Sequence, residues 1–74
     1  MNLSEEEYLE KCKELLDYFS VDYSGKTIKL NSGGNGCIMN PTSPFYKLFA
    51  GYSINSIAEY VAEKLNKQVI YERD

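Results

Sequence analysis

Apolar residues recur at three- and four-residue spacings from Tyr8 to Phe19: Tyr8, Leu9, Cys12, Leu15, Leu16 and Phe19. At 100° per residue they fill one sector about 120° wide, the pattern of a helix laid against a core. Ser4 followed by Glu7 is a capping box, with Leu3 before it and Tyr8 after it as a hydrophobic staple, so the helix is expected to start at Glu5 and run to Tyr18 or Phe19. Opposite the apolar sector stand Glu6, Glu10, Glu14 and Asp17, a row of carboxylates with Lys13 as its partial relief. Like charges at i and i+4 cost a helix a few tenths of a kcal/mol each, about 0.2–0.5.

The period then changes. Lys26-Thr27-Ile28-Lys29-Leu30 alternates with Ile28 and Leu30 on one side, as a half-buried strand does. Asn31-Ser32-Gly33-Gly34-Asn35-Gly36 is the strongest turn signal in the chain, and Cys37-Ile38-Met39 is expected to return antiparallel in a long-looped β-hairpin. Asn40-Pro41 ends that strand. Ser43 as N-cap with Pro44 at the first helical position predicts a short helix over residues 45–50, stopped by Gly51. Ser53 caps a last helix in which Ile54, Ile57, Ala58, Val61, Ala62 and Leu65 form the apolar stripe. Ser56 with Glu59 is a rival capping box, but starting there would strand Ile54. Asn66 is the expected C-terminal stop, and Gln68-Val69-Ile70-Tyr71-Glu72 reads as the final strand.

The order helix, strand, strand, short helix, helix, strand predicts a single α+β domain over residues 1–74: a small antiparallel sheet of about three strands with two main helices and one short helix packed on one face. So small a sheet leaves edges uncovered, and the last strand is a candidate for pairing with a second copy, so a homodimer is expected.

Composition narrows the chemistry. The chain has 74 residues, no histidine and two cysteines. No Ser-His-Asp or Cys-His pair can form, and Cys12 and Cys37 cannot complete a four-ligand zinc site, so no catalytic residue, metal site or cofactor is expected. The longest apolar runs, such as Cys37-Ile38-Met39 and Leu48-Phe49-Ala50, fall far short of a membrane span. Residues 1–7 are acidic where a secretory leader would be basic and then apolar, which predicts a cytoplasmic protein with two reduced, buried thiols. A disulfide joining Cys12 to Cys37 is the sharper alternative. Ser24-Gly25-Lys26-Thr27 resembles the tail of a phosphate-binding loop, but Ser20 stands where the first glycine is needed and a strand follows instead of a helix. Asn2-Leu3-Ser4 matches a glycosylation acceptor only formally.

Charge is lopsided. Residues 1–22 carry seven acids and two lysines; residues 23–58 carry Lys26, Lys29 and Lys47 with no acid; the whole chain is at −3. Two functional readings follow. In the first, a small non-enzymatic binding or inhibitor protein presents Glu6, Glu10, Glu14 and Asp17, with Tyr18 and Tyr60 as exposed anchors, to a protein partner with a basic surface. Small size and uneven charge would suit an accessory protein of a phage or mobile element. In the second, the glycine loop 31–36 with Lys26, Lys29, Gly33, Gly34, Asn35, Gly36, Ser43, Tyr46 and Lys47 holds a nucleotide or other phosphorylated small molecule. Each set also has a plain explanation: a solvated helix face, tyrosines at a core margin, and a surface loop beside aromatic packing. Direct nucleic-acid binding is not expected of a net negative chain whose one arginine is Arg73.

Overall fold

The computed structural model describes residues 3–73; Met1, Asn2 and Asp74 lie outside the described residues, so the formal Asn2-Leu3-Ser4 triplet is seen only from Leu3 onward. The first helix, α1 (Glu5–Tyr18), begins as its sequence predicts. Ser4 is extended, its hydroxyl accepts from the Glu7 N–H, and the Glu7 carboxylate accepts from the Ser4 N–H, each at 3.2 Å. Its far end carries no glycine. Ser20 nevertheless takes φ 61°, the Val21 N–H reaches the Leu16 carbonyl at 2.8 Å and the Ser20 N–H reaches that of Asp17 at 3.1 Å. That is the paired closure of a Schellman motif, built on a serine.

The remaining elements are β1 (Thr27–Asn31), α2 (Tyr46–Phe49), α3 (Ile54–Lys64) and β2 (Gln68–Glu72). Ser53 caps α3 by accepting from the Ser56 N–H at 3.1 Å, which settles the choice between the two possible caps. Asn66 closes it at φ 57°, with the Lys67 N–H on the Ala62 carbonyl at 2.7 Å. The short helix differs from expectation. Ser43 Oγ accepts from the Phe45 N–H within a turn, so Ser43 and Pro44 precede α2 instead of opening it, and α2 has no side-chain cap. Gly51, at φ 81°, follows it as predicted.

The sheet corrects the sequence reading. It has two strands, not about three, and β1 and β2 run parallel, with Ile28 opposite Val69 and Leu30 opposite Tyr71. The chain therefore is α+β with its helices against a small sheet, but the expected hairpin is absent among the described residues. Residues 36–38 do return antiparallel, only against a different neighbour: Cys37 bridges Ser53, the Ile38 N–H donates to the Tyr52 carbonyl at 2.9 Å, and the Gly51 N–H donates to that of Ile38 at 2.7 Å. A six-residue glycine loop does not impose the tight turn that would fold the strand back on β1. Alternation selects the face a strand buries, not the strand beside it.

The core sits between the helices and one face of the sheet. Cys12, Leu15 and Leu16 of α1, Ile28 and Leu30 of β1, Ile38, Phe45 and Phe49, and Ile54, Ile57, Ala58, Val61 and Ala62 of α3 are all buried. Phe49 is fully enclosed, with its ring 5.5 Å from that of Tyr8 and 6.0 Å from that of Tyr52. Cys12 is buried, as expected, whereas Cys37 is exposed, and the two thiols are free. Burial pushes the Cys12 thiol up to about 11 and the Tyr8 hydroxyl up to about 12. No helix among the described residues is long and apolar enough to cross a membrane.

Candidate functional site

The capping box fixes the start of α1, and burial of Cys12, Leu15 and Leu16 turns the opposite row of carboxylates outward. Glu6, Glu10, Glu14 and Asp17 are all exposed. They are less bare than their spacing implies. Lys13 pairs with Glu10 at 3.3 Å, Lys11 with Glu14 at 3.7 Å, and Asp17 accepts from the Tyr23 hydroxyl at 3.2 Å. Glu6 alone of the four has no polar partner among the described residues. Beside it opens a cleft of about 380 Å³ lined by Leu3, Glu6, Glu7, Leu9, Glu10 and Lys11. Apolar surface from Leu3 and Leu9 thus meets three carboxylates. Leu3 is expected as a staple and Leu9 as core; both are half-buried, so part of each side chain stays on the surface beside Glu6.

At the other end of α1, Tyr18 is 62% exposed and Met39 67% exposed. Together with Phe19, Cys37, Ile38, Asn40 and Ser43 they line a second cleft of about 180 Å³. The Tyr18 ring packs edge-on to Phe19 and Phe45 at 5.1 and 5.4 Å. Tyr60 stands elsewhere. It is half-buried between α1 and α3, its ring 5.2 Å from Tyr8 and its face 5.5 Å from the Lys64 ammonium. Tyr18 is therefore an accessible ring contiguous with the acidic row, and Tyr60 is a core-margin tyrosine.

The residues considered for an anion site do not converge. Lys29 lies on the open face of the sheet, 4.0 Å from the Glu72 carboxylate, and lines a cavity of about 250 Å³ with Asp22, Ser24, Gly25 and Thr27. The Ser24 backbone N–H and hydroxyl hold the Asp22 carboxyl below the usual carboxylate range, which keeps a negative charge in that cavity. Ser43 lines the Tyr18 cleft instead. Gly34 and Gly36, both at φ 95°, shape the loop; Asn35 is tied to Asn55 at 2.5 Å, and the Gly36 carbonyl accepts from the Ile54 N–H at 2.9 Å. Gly33 donates to Asn31 Oδ1 at 2.9 Å. Lys26 and Lys47 are exposed, and Tyr46 is partly buried against the core. Among the described residues no group of three or more His, Cys, Asp or Glu side chains is placed to hold a metal.

Comparison of the chain with protein-family models, with curated proteins and with solved structures finds no match.

Proposed function

We propose that the chain is a small non-enzymatic binding or inhibitor protein that receives a basic segment of a protein partner on α1. The observation that carries this reading is the cleft in which Leu3 and Leu9 lie beside Glu6, Glu7 and Glu10, with Lys11, which also lines it, paired to Glu14. An arginine or lysine side chain matches that mixture: its aliphatic stem packs on apolar surface while its charged head meets carboxylates, and arginine does so bidentately. Glu6, the unpartnered carboxylate, gains most from such an arrival. Asp17 and the exposed ring of Tyr18 extend the same surface toward the C-terminal end of α1, with Glu14 between them and the cleft. Free thiols on Cys12 and Cys37 support a cytoplasmic setting, where cysteines stay reduced. Self-association is a second proposed interaction, supported by the exposed residues of β2. An accessory role for a phage or mobile element remains part of the proposal on size and charge alone.

The test is titration with an arginine-rich peptide. Glu6→Lys combined with Glu10→Lys should weaken binding at least ten-fold with the helical circular dichroism unchanged, and added salt should weaken the native protein in the same direction. Lys29→Glu should leave the affinity where it was. Equal binding by the doubly reversed variant overturns the reading. The alternative, a nucleotide held by the glycine loop, predicts the reverse pattern, together with a rise in melting temperature that corresponds to about 2.7 kcal/mol at a ligand concentration 100 times its Kd. The dispersal of Lys29, Ser43 and the glycines weighs against it.

A further inference from the structure

The most apolar strand of the sheet is also its most exposed. β2 contains Val69, Ile70 and Tyr71 in succession, yet Ile70 is 39% and Tyr71 45% exposed, whereas Ile28 and Leu30 of β1 are buried. Backbone polarity follows from the ladder. The Gln68 N–H bonds to the Lys26 carbonyl at 3.1 Å and the Ser32 N–H to the Glu72 carbonyl at 2.8 Å, so Gln68, Ile70 and Glu72 turn their peptide groups toward β1. In a parallel ladder the alternate residues turn theirs the other way, which leaves the N–H and C=O of Val69 and Tyr71 on the outer edge. Parallel strands are normally covered on both faces and flanked by further strands, and two strands alone are marginal.

We propose that this edge pairs with a second copy of the same chain, antiparallel about a two-fold axis through Ile70. This rests on β2 and not on the acidic cleft of α1. In that register Val69 stands opposite Tyr71 of the second copy, and each pair exchanges two hydrogen bonds, using all four outward groups. Ile70 meets itself at the close, non-hydrogen-bonded position, with Cα atoms about 4.5 Å apart. Gln68 faces Glu72, an uncharged group against a carboxylate. Lys67 would face Arg73, but its ammonium is already turned inward onto the carbonyls of Tyr23 and Gly25, which removes the like-charge contact. The Tyr71 hydroxyl bonds to Glu59, holding its ring on the helical side, where Val69 of the second copy arrives. The outer edge of β1 is unsuited to the same pairing, because a two-fold there sets Lys29 against Lys29. The product is a four-stranded sheet in the order β1, β2, β2, β1, with the helices of both copies on one face.

The experiment is sedimentation equilibrium of the full chain from about 5 to about 500 µM, a range suited to an interface smaller than the standard size. The native protein should follow a monomer–dimer isotherm, and Ile70→Lys, at an exposed position on the open face, should raise the dimer Kd at least ten-fold with unchanged circular dichroism. Register is read separately. In a Cys37→Ser background, Ile70→Cys should oxidise to a disulfide dimer, while Lys29→Cys in the same background should stay monomeric. A native chain that remains monomeric throughout, including one whose edge is reserved for a strand of another protein, overturns the proposal. So does equal dimerisation by Ile70→Lys or equal cross-linking through Lys29→Cys. Should Ile70→Lys fail to fold, the cross-linking pair decides. Reversing Glu6 and Glu10 should leave the dimer Kd unchanged, which separates this proposal from the one on α1.

Discussion

The Lys64 ammonium at the end of α3 bonds to the Glu5 carboxylate in the first turn of α1, joining residues 59 positions apart. Both charges suit their helices: an anion sits at the start of one and a cation at the end of the other. The bond to Lys64 holds the Glu5 carboxyl below its ordinary value of 4.5 and raises the Lys64 ammonium above its own. A carboxyl depressed by folding contributes stability that is present above its unfolded value and is lost as pH falls through the folded one. The melting temperature of the native chain should therefore exceed that of Glu5→Gln near neutrality, and the two should converge below pH 4.5. Thermal melts of both proteins over that range check it. A gap that persists unchanged at the acid end contradicts it.

Ser20 occupies a glycine's conformation at φ 61°. A left-handed non-glycine residue costs roughly 1–2 kcal/mol, and part of that gain is returned through the greater freedom of glycine in the unfolded chain. Ser20→Gly should stabilise the domain by about 0.5–1 kcal/mol in urea unfolding, while Asn66→Gly, starting from a residue that tolerates this region, should gain less.

The Lys67 ammonium is a structural cation that pins the turn before β1 to the start of β2 through the Tyr23 and Gly25 carbonyls. Lys67→Met keeps the aliphatic stem and removes both bonds. A loss of about 1–2 kcal/mol is expected, with the largest increase in amide hydrogen exchange over residues 23–28.

Phe49 tests how much of the core one side chain carries. It is fully enclosed on a four-residue helix, between Tyr8 and Tyr52. Phe49→Ala should cost about 3–5 kcal/mol, comparable to the whole stability of a domain this small, so the variant should be largely unfolded at room temperature by circular dichroism. Phe49→Leu should remain folded with a lower melting temperature.

The two thiols should separate by reactivity. Cys12 is enclosed and its thiol is pushed up to about 11, whereas Cys37 lies on the surface beside Met39. A thiol-specific chromogenic reagent should titrate one equivalent per native chain at neutral pH and two after denaturation. Cys37→Ser should reduce the native count to none.

Local signals carried much of the fold. Ser4, Glu7 and Ser53 placed two helix starts, and Asn66 one helix end, because a cap is a set of hydrogen bonds among residues three or four apart. The three-residue and two-residue periods likewise marked Cys12, Leu15, Leu16, Ile28, Leu30 and Ile57 as inward-facing, and all of them are buried. The outward carboxylates of α1 were legible for the same reason, although their neutralisation by Lys11 required side-chain geometry. Strand partnership was not legible. Ile28 meets Val69 across a separation of 41 positions, and nothing in either strand's alternation states whether its neighbour is residue 38 or residue 69, or which way that neighbour runs. In the folded molecule residues 36–38 pair with residues 52–54 and β1 pairs with β2, while Ile38, Phe45 and Phe49 share one core with Ile28 and Leu30. The starts of the two long helices α1 and α3 and most of their inward side chains could be read from the chain alone, since both depend on bonds and angles within a few residues; the start of α2 and the exposure of Phe19 and Cys37 could not. Strand direction and the exposed edge of β2 came only with the packed molecule, because each depends on which distant surfaces exclude water together.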